Sequence, residues 1–150
     1  KSITVYSFGV YADETSLKDK LGSKYTQQLA GNLQENKSFY DDILASDFNL
    51  TVRLVIVYGR IKIGSVRSAF EDSIGSRIKK FSGSDNRPLL HSFTSLFKDD
   101  IKLPQGTIID ITRHHGHVLT TKINDMELGS VQSPLLCRSF MDLYIGEDPF

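Results

Sequence analysis

Net charge is the first thing this sequence lacks: eighteen lysines and arginines balance eighteen aspartates and glutamates over its 150 residues. That balance excludes the broad positive field that non-specific binding to nucleic acid or to an anionic membrane needs, leaving only a local basic patch. Cysteine is nearly absent as well. With Cys137 alone, neither an internal disulfide framework nor a multi-cysteine zinc site can form, which suits a reduced or a redox-indifferent compartment. Long apolar runs are missing, and the longest, Leu54 to Tyr58, is far short of the roughly 20 residues a membrane-spanning helix needs. No basic-then-apolar leader precedes the strand-like pattern that opens at Ser2, so any targeting segment is expected to be removed or outside the sequence. Repeats, linkers, a glycine-rich phosphate loop and a nucleophile elbow are absent too. What is present is 39% hydrophobic residues, enough for one domain that buries roughly two thirds of its unfolded surface.

The pattern along the chain predicts an α+β fold. Residues 2 to 12 alternate, but both sides are apolar or small, as in a strand covered on two faces or set between a helix layer and a cleft. Thr15 to Asp47 reads as two or three short helices, with Phe39, Tyr40, Ile43 and Leu44 as an apolar face. Asn49 to Ile63 carries the strongest strand signal, interrupted at Gly59 and resumed at Arg60, which predicts a hairpin or a bulged strand. From Gly64 onward Val66, Phe70, Ile74, Ile78 and Phe81 recur at helical spacing, with Ser65 as the expected cap and Gly83 as the stop. Pro88 opens a further short helix. A meander follows, Thr107 to Arg113, His117 to Ile123 and Met126 to Val131, before a last helix from Ser133 and Pro134 that closes at Gly146. Strands ending in a meander predict helices layered on one face of an antiparallel sheet.

Few residues offer chemistry. His114, His115 and His117 carry imidazoles, the commonest transition-metal ligands, yet neighbours in a tight turn point apart and a solvated hairpin tip explains them without a metal. Cys137 has no histidine nearby in sequence and reads as a small packed apolar residue. The carboxylates sit at element ends, as caps or solvated groups, and form no acid/base pair. Arg53 stands apart because it lies inside an apolar strand, where a guanidinium either grips a ligand carboxylate, snorkels or pairs with a protein acid. Tyr6, between Thr4 and Phe8, reads equally as a hydroxyl aimed into a cleft or as a core aromatic. Val66 and Ser73 are seven residues apart and share one helix face, where Ser73 either bonds back to the carbonyl one turn earlier or lines a pocket.

Four blocks, in order, resemble the chalcone isomerase superfamily: Lys1 through Tyr11, Val52 through Tyr58, Phe93 through Asp100, and Leu136 through Phe140 with Tyr144 through Phe150. The likeness covers nearly the whole chain and is closest to the plant plastid branch of non-catalytic fatty-acid-binding proteins. It implies an open-faced β-sandwich, a large antiparallel sheet with a helical layer and a ligand cleft between them. It also implies a single domain over residues 1 to 150, shortened at both ends relative to the family.

The resemblance carries residue roles as well. In the fatty-acid-binding branch a tyrosine on the early strand and an arginine about a dozen residues upstream hold the ligand carboxylate; Tyr6 matches the tyrosine, and the arginine position falls before Lys1. True isomerases have a threonine at the Tyr6 position, a catalytic tyrosine at Val66 and an asparagine at Ser73. A valine cannot hydrogen-bond or orient water, so binding without turnover is the expectation, with no catalytic residue, no metal and no cofactor. The expected ligand site is Tyr6 and Ser73, with Arg53 in reserve, for a fatty acid held in the plastid stroma. An isomerase with altered residues, or an auxiliary protein docked on polyketide-forming enzymes, are the alternatives.

Overall fold

In the computed structural model, the structure describes residues 6–12, 42, 44, 49–59 and 61–145. Its described elements run β1 (Tyr6–Ala12), β2 (Leu50–Ile56), α1 (Ile63–Ser82), α2 (Arg87–Thr94), β3 (Ile108–His114), β4 (Val118–Ile123), β5 (Met126–Gln132) and α3 (Pro134–Ile145). The five strands form one sheet in the order β1-β2-β3-β4-β5, and every pairing is antiparallel. The expected helices between Thr15 and Asp47 lie outside the described residues, except that Asp42 and Leu44 are helical.

Strand β2 shows why its apolar run folds as a half-covered strand: Leu50, Val52, Leu54 and Ile56 are buried, while Arg53 is exposed and Thr51 and Val55 are half-buried. On β3 the buried set is Ile109, Ile111 and Arg113. The apolar members of both strands share one core with Phe70, Ile74 and Ile78 of α1, Phe93 of α2, and Leu136, Phe140 and Leu143 of α3. Burial of this alternate set on the helix layer is what orients the sheet.

The other face of the sheet is polar and ordered in rows. Arg53 stands opposite Asp110, Asp110 opposite Lys122, and Lys122 opposite Glu127, so the signs alternate across four strands. The adjacent row is hydroxyl-bearing: Thr51 bonds Thr112 at 2.8 Å and Thr120 bonds Ser130 at 2.8 Å. Such cross-strand pairs each add a fraction of a kcal/mol, of order 0.2–1.

Two sequence expectations are corrected here. Among the described residues no strand resumes after Gly59: Ile61 and Lys62 are irregular and Ile63 begins α1. The apolar alternation of Ile61 and Ile63 looks like a strand, but Ile63 belongs with Phe70, Ile74 and Ile78 on the buried stripe of the helix. Ser65 is not the cap either, because Lys62 holds that position without a side-chain cap bond. The stop at Gly83 is as expected, with φ of 80° and its N–H bonded to the Lys79 carbonyl. Helix α2 is capped by Asn86, whose side chain accepts from the Leu89 N–H, and α3 by Ser133, whose hydroxyl oxygen accepts from the Leu136 N–H at 3.0 Å. The meander falls where the sequence places it, and Asn124 and Asp125, at φ 49° and 68°, form its second turn.

Candidate ligand-binding site

Helical spacing brings Ser65, Val66, Ala69, Phe70 and Ser73 to one face of α1. That face overlies Leu54 and Ile56 of β2 and Ile109 of β3, and the C-terminal end of α3 closes it with Leu143 and Tyr144. Between them is a cavity of about 60 Å³ within a depression of about 480 Å³ of unfilled space that opens to solvent. Its polar groups among the described residues are the hydroxyls of Ser65, Ser73 and Tyr144; no carboxylate, imidazole, ammonium or guanidinium lines it. An apolar recess with a few hydroxyls suits a hydrocarbon ligand that carries one polar end.

Ser73 and Val66, paired by their spacing in the sequence, both line this cavity. The Ser73 hydroxyl donates to the Ala69 carbonyl at 2.6 Å, so the local bond weighed against a pocket role is made as well. Its oxygen still has lone pairs for an incoming donor, but its proton is engaged. Tyr6 is the β1 residue opposite Ile56, a cavity residue; the Tyr6 side chain lies outside the described residues.

Arg53 is not brought to the cavity. It stands on the polar face of the sheet, its Nε 2.8 Å from Asp110 Oδ1 and its Nη2 3.0 Å from Asp110 Oδ2. Successive residues of a strand point to opposite faces, and Leu54 takes the cavity side, so Arg53 makes the protein-acid pairing that was one of its expected roles.

Sequence reasoning missed Ser65, read as a cap, and Tyr144, which it placed only in the last helix and within a block of the family resemblance. It also missed Arg77. One turn beyond Ser73, the Arg77 Nη1 donates to the Ser73 carbonyl at 3.1 Å and its Nε to Asp142 Oδ2 at 3.1 Å. This pair ties α1 to α3 beside Leu143 and is itself largely buried. The i, i+4 spacing of Ser73 and Arg77 was a visible signal, but the acid 65 residues away was not. Cys137 is buried, and desolvation pushes its thiol from 9.0 up to about 11, against the lowering influence of Arg113. A thiol so protonated is a packing group rather than a nucleophile. Among the described residues no group of three or more His, Cys, Asp or Glu side chains is placed to hold a metal ion, and no helix is long and apolar enough to cross a membrane.

Comparison with known proteins agrees with this geometry. The family model described as chalcone isomerase like matches residues 1–150. The chain is 55% identical to fatty-acid-binding protein 1 of Arabidopsis thaliana over 150 residues, covering all of this chain and 54% of that protein. It is 40% identical to fatty-acid-binding protein 2 of the same plant, over 99% of this chain and 37% of that protein. With chalcone isomerase-like protein 1 of Humulus lupulus identity is 34%, over 97% of this chain and 67% of that protein. The chain thus spans about half the length, or less, of the two Arabidopsis relatives. The crystal structure of an Arabidopsis thaliana fatty-acid binding protein superposes with a TM-score of 0.87 at 54% identity, over 99% of this chain and 73% of that one. The family model over all 150 residues, the 34% identity across two thirds of the Humulus relative and the superposition at 54% identity together place the chain in the chalcone isomerase-like family.

Proposed function

We propose that this chain binds a fatty acid in the cavity between α1, α3 and the sheet, and does not transform it. The observation that carries this reading is the cavity wall itself: Val66, where the resemblance puts an isomerase's catalytic tyrosine, lines the cavity as an alkyl group. Ring closure would lose the polar group expected to assist it, whereas an acyl chain gains about 0.8 kcal/mol for each buried methylene. The names of the two Arabidopsis relatives support the ligand class. The reading puts the carboxylate end on the β1 side, because Tyr6, which the resemblance matches to the carboxylate-holding tyrosine, pairs with the cavity residue Ile56, while the Ser73 proton is engaged with Ala69. The same reading assigns the protein to the plastid stroma in support of fatty-acid metabolism, on the strength of the resemblance.

Native mass spectrometry of the purified chain, with and without added laurate or palmitate, tests the ligand. A one-to-one adduct that Tyr6→Phe weakens about tenfold and Arg53→Ala leaves unchanged is the expected result. An empty protein that takes up neither acid, or measurable cyclisation of a chalcone above the solution rate, would overturn it. A fluorescent fusion of the full-length protein checks the compartment.

A further inference from the structure

Phe70 has two sides. One lines the cavity with Leu54, Ile109 and Val66. The other meets three rings that do not reach the cavity: Phe93 at 5.6 Å between centroids, Phe97 at 5.4 Å and Phe140 at 6.1 Å. Phe93 and Phe97 are also in contact with each other at 5.3 Å, and Phe93 with Phe140 at 5.9 Å. All three rear rings are fully buried. The block is therefore rigid, and the Phe70 ring separates it from the ligand space.

Topology gives the cavity a direction. In the sheet, Tyr6 pairs with the cavity residue Ile56 on the β1 side, while Leu54 pairs with Ile109 toward β3. The ring block lies farther along the same way, because α2 and its following turn pack toward β5, with Leu96 against Gly129. A fatty acid anchored by its carboxylate at the β1 side runs its hydrocarbon end toward Ile109 and Phe70.

We propose that Phe70 is the end wall that sets which acyl length this protein accepts. The inference rests on the fatty-acid reading above and adds the residue that limits the tail. Replacing the ring by a small side chain joins the ligand space to the volume in front of Phe93, Phe97 and Phe140. Emptied apolar sites of this kind, on the order of 150 Å³ or less, stay dry and admit apolar guests. Room for about two to four methylenes follows, at roughly 30 Å³ for each water-sized group.

The test measures affinities of the full chain for straight-chain saturated acids from octanoate to stearate, in the native protein, Phe70→Ala, the milder Phe70→Val, and Phe97→Val. Phe97→Val opens similar space in the same block without touching the cavity wall. The expected result is a preference moved about two to four carbons longer in Phe70→Ala and about one to two in Phe70→Val, roughly fourfold in Kd for each methylene newly accommodated. Phe97→Val should keep the native length profile. Should Phe70→Ala fail to fold, Phe70→Val decides. An unchanged profile in Phe70→Val, or the same shift in Phe97→Val, overturns the end-wall role while fatty-acid binding stands. If the native chain binds no acid of any length, the fatty-acid reading itself fails.

Discussion

A serine inside a helix has a carbonyl acceptor one turn back, and Ser73 uses it while facing the cavity. Its place was legible because Val66 and Ser73 repeat at helical spacing; whether its proton was available was not. The pairing of Arg53 with Asp110 was equally invisible, since those residues meet only through the register of β2 and β3, 57 positions apart. Cys137 gives a pH dependence at this scale. Its thiol ionises near its ordinary 9.0 when unfolded and at about 11 when buried in the fold. Between those values the native state holds more protons, so the stabilisation present below pH 9 is lost as pH rises toward 11. Urea unfolding of the native chain and Cys137→Ala across that window should show a steeper loss in the native chain. Thiol reagents at pH 8 should modify Cys137 only as fast as the protein opens.

At the scale of elements, α1 was the most legible, because a stripe from Ile63 to Ile78 leaves no other surface to bury. Its start was misread because a helix entered without a side-chain cap offers no polar signal, and two alternating isoleucines imitate a strand. The attachment of α1 to α3 by Arg77 and Asp142 was beyond reading, as it depends on which helices become neighbours. That attachment predicts an asymmetric response. Arg77→Met leaves the Asp142 carboxylate buried without its partner and should cost about 3 kcal/mol in urea unfolding. Arg77→Met combined with Asp142→Leu should recover most of the loss. Equal losses in the single and the double variant would show that the pair adds packing alone.

For the whole molecule, the class of fold and the order of its elements followed from the three-strand meander after Thr107, the helix stripes, and the β-branched run of β2. The cavity did not, since it is made by residues from four separate segments that only the finished sheet gathers. A guest in that cavity stabilises the folded state alone. At one hundred times Kd, a bound acid should add about 2.7 kcal/mol and raise the melting temperature by about 5–10 °C, read by calorimetry. The alternating charges across β2 to β5 bear on how the sheet finds its alignment. Sliding a strand by one residue would expose the apolar set, so the core forbids every odd slip. Sliding by two keeps the same faces inward, so the alternation of apolar and polar residues does not forbid it. If β3 slid so, Arg53 would stand opposite Ile108 or Thr112 rather than Asp110, and Lys122 would lose the same acid. The polar face thus serves as a key against the even slips that the hydrophobic pattern cannot tell apart.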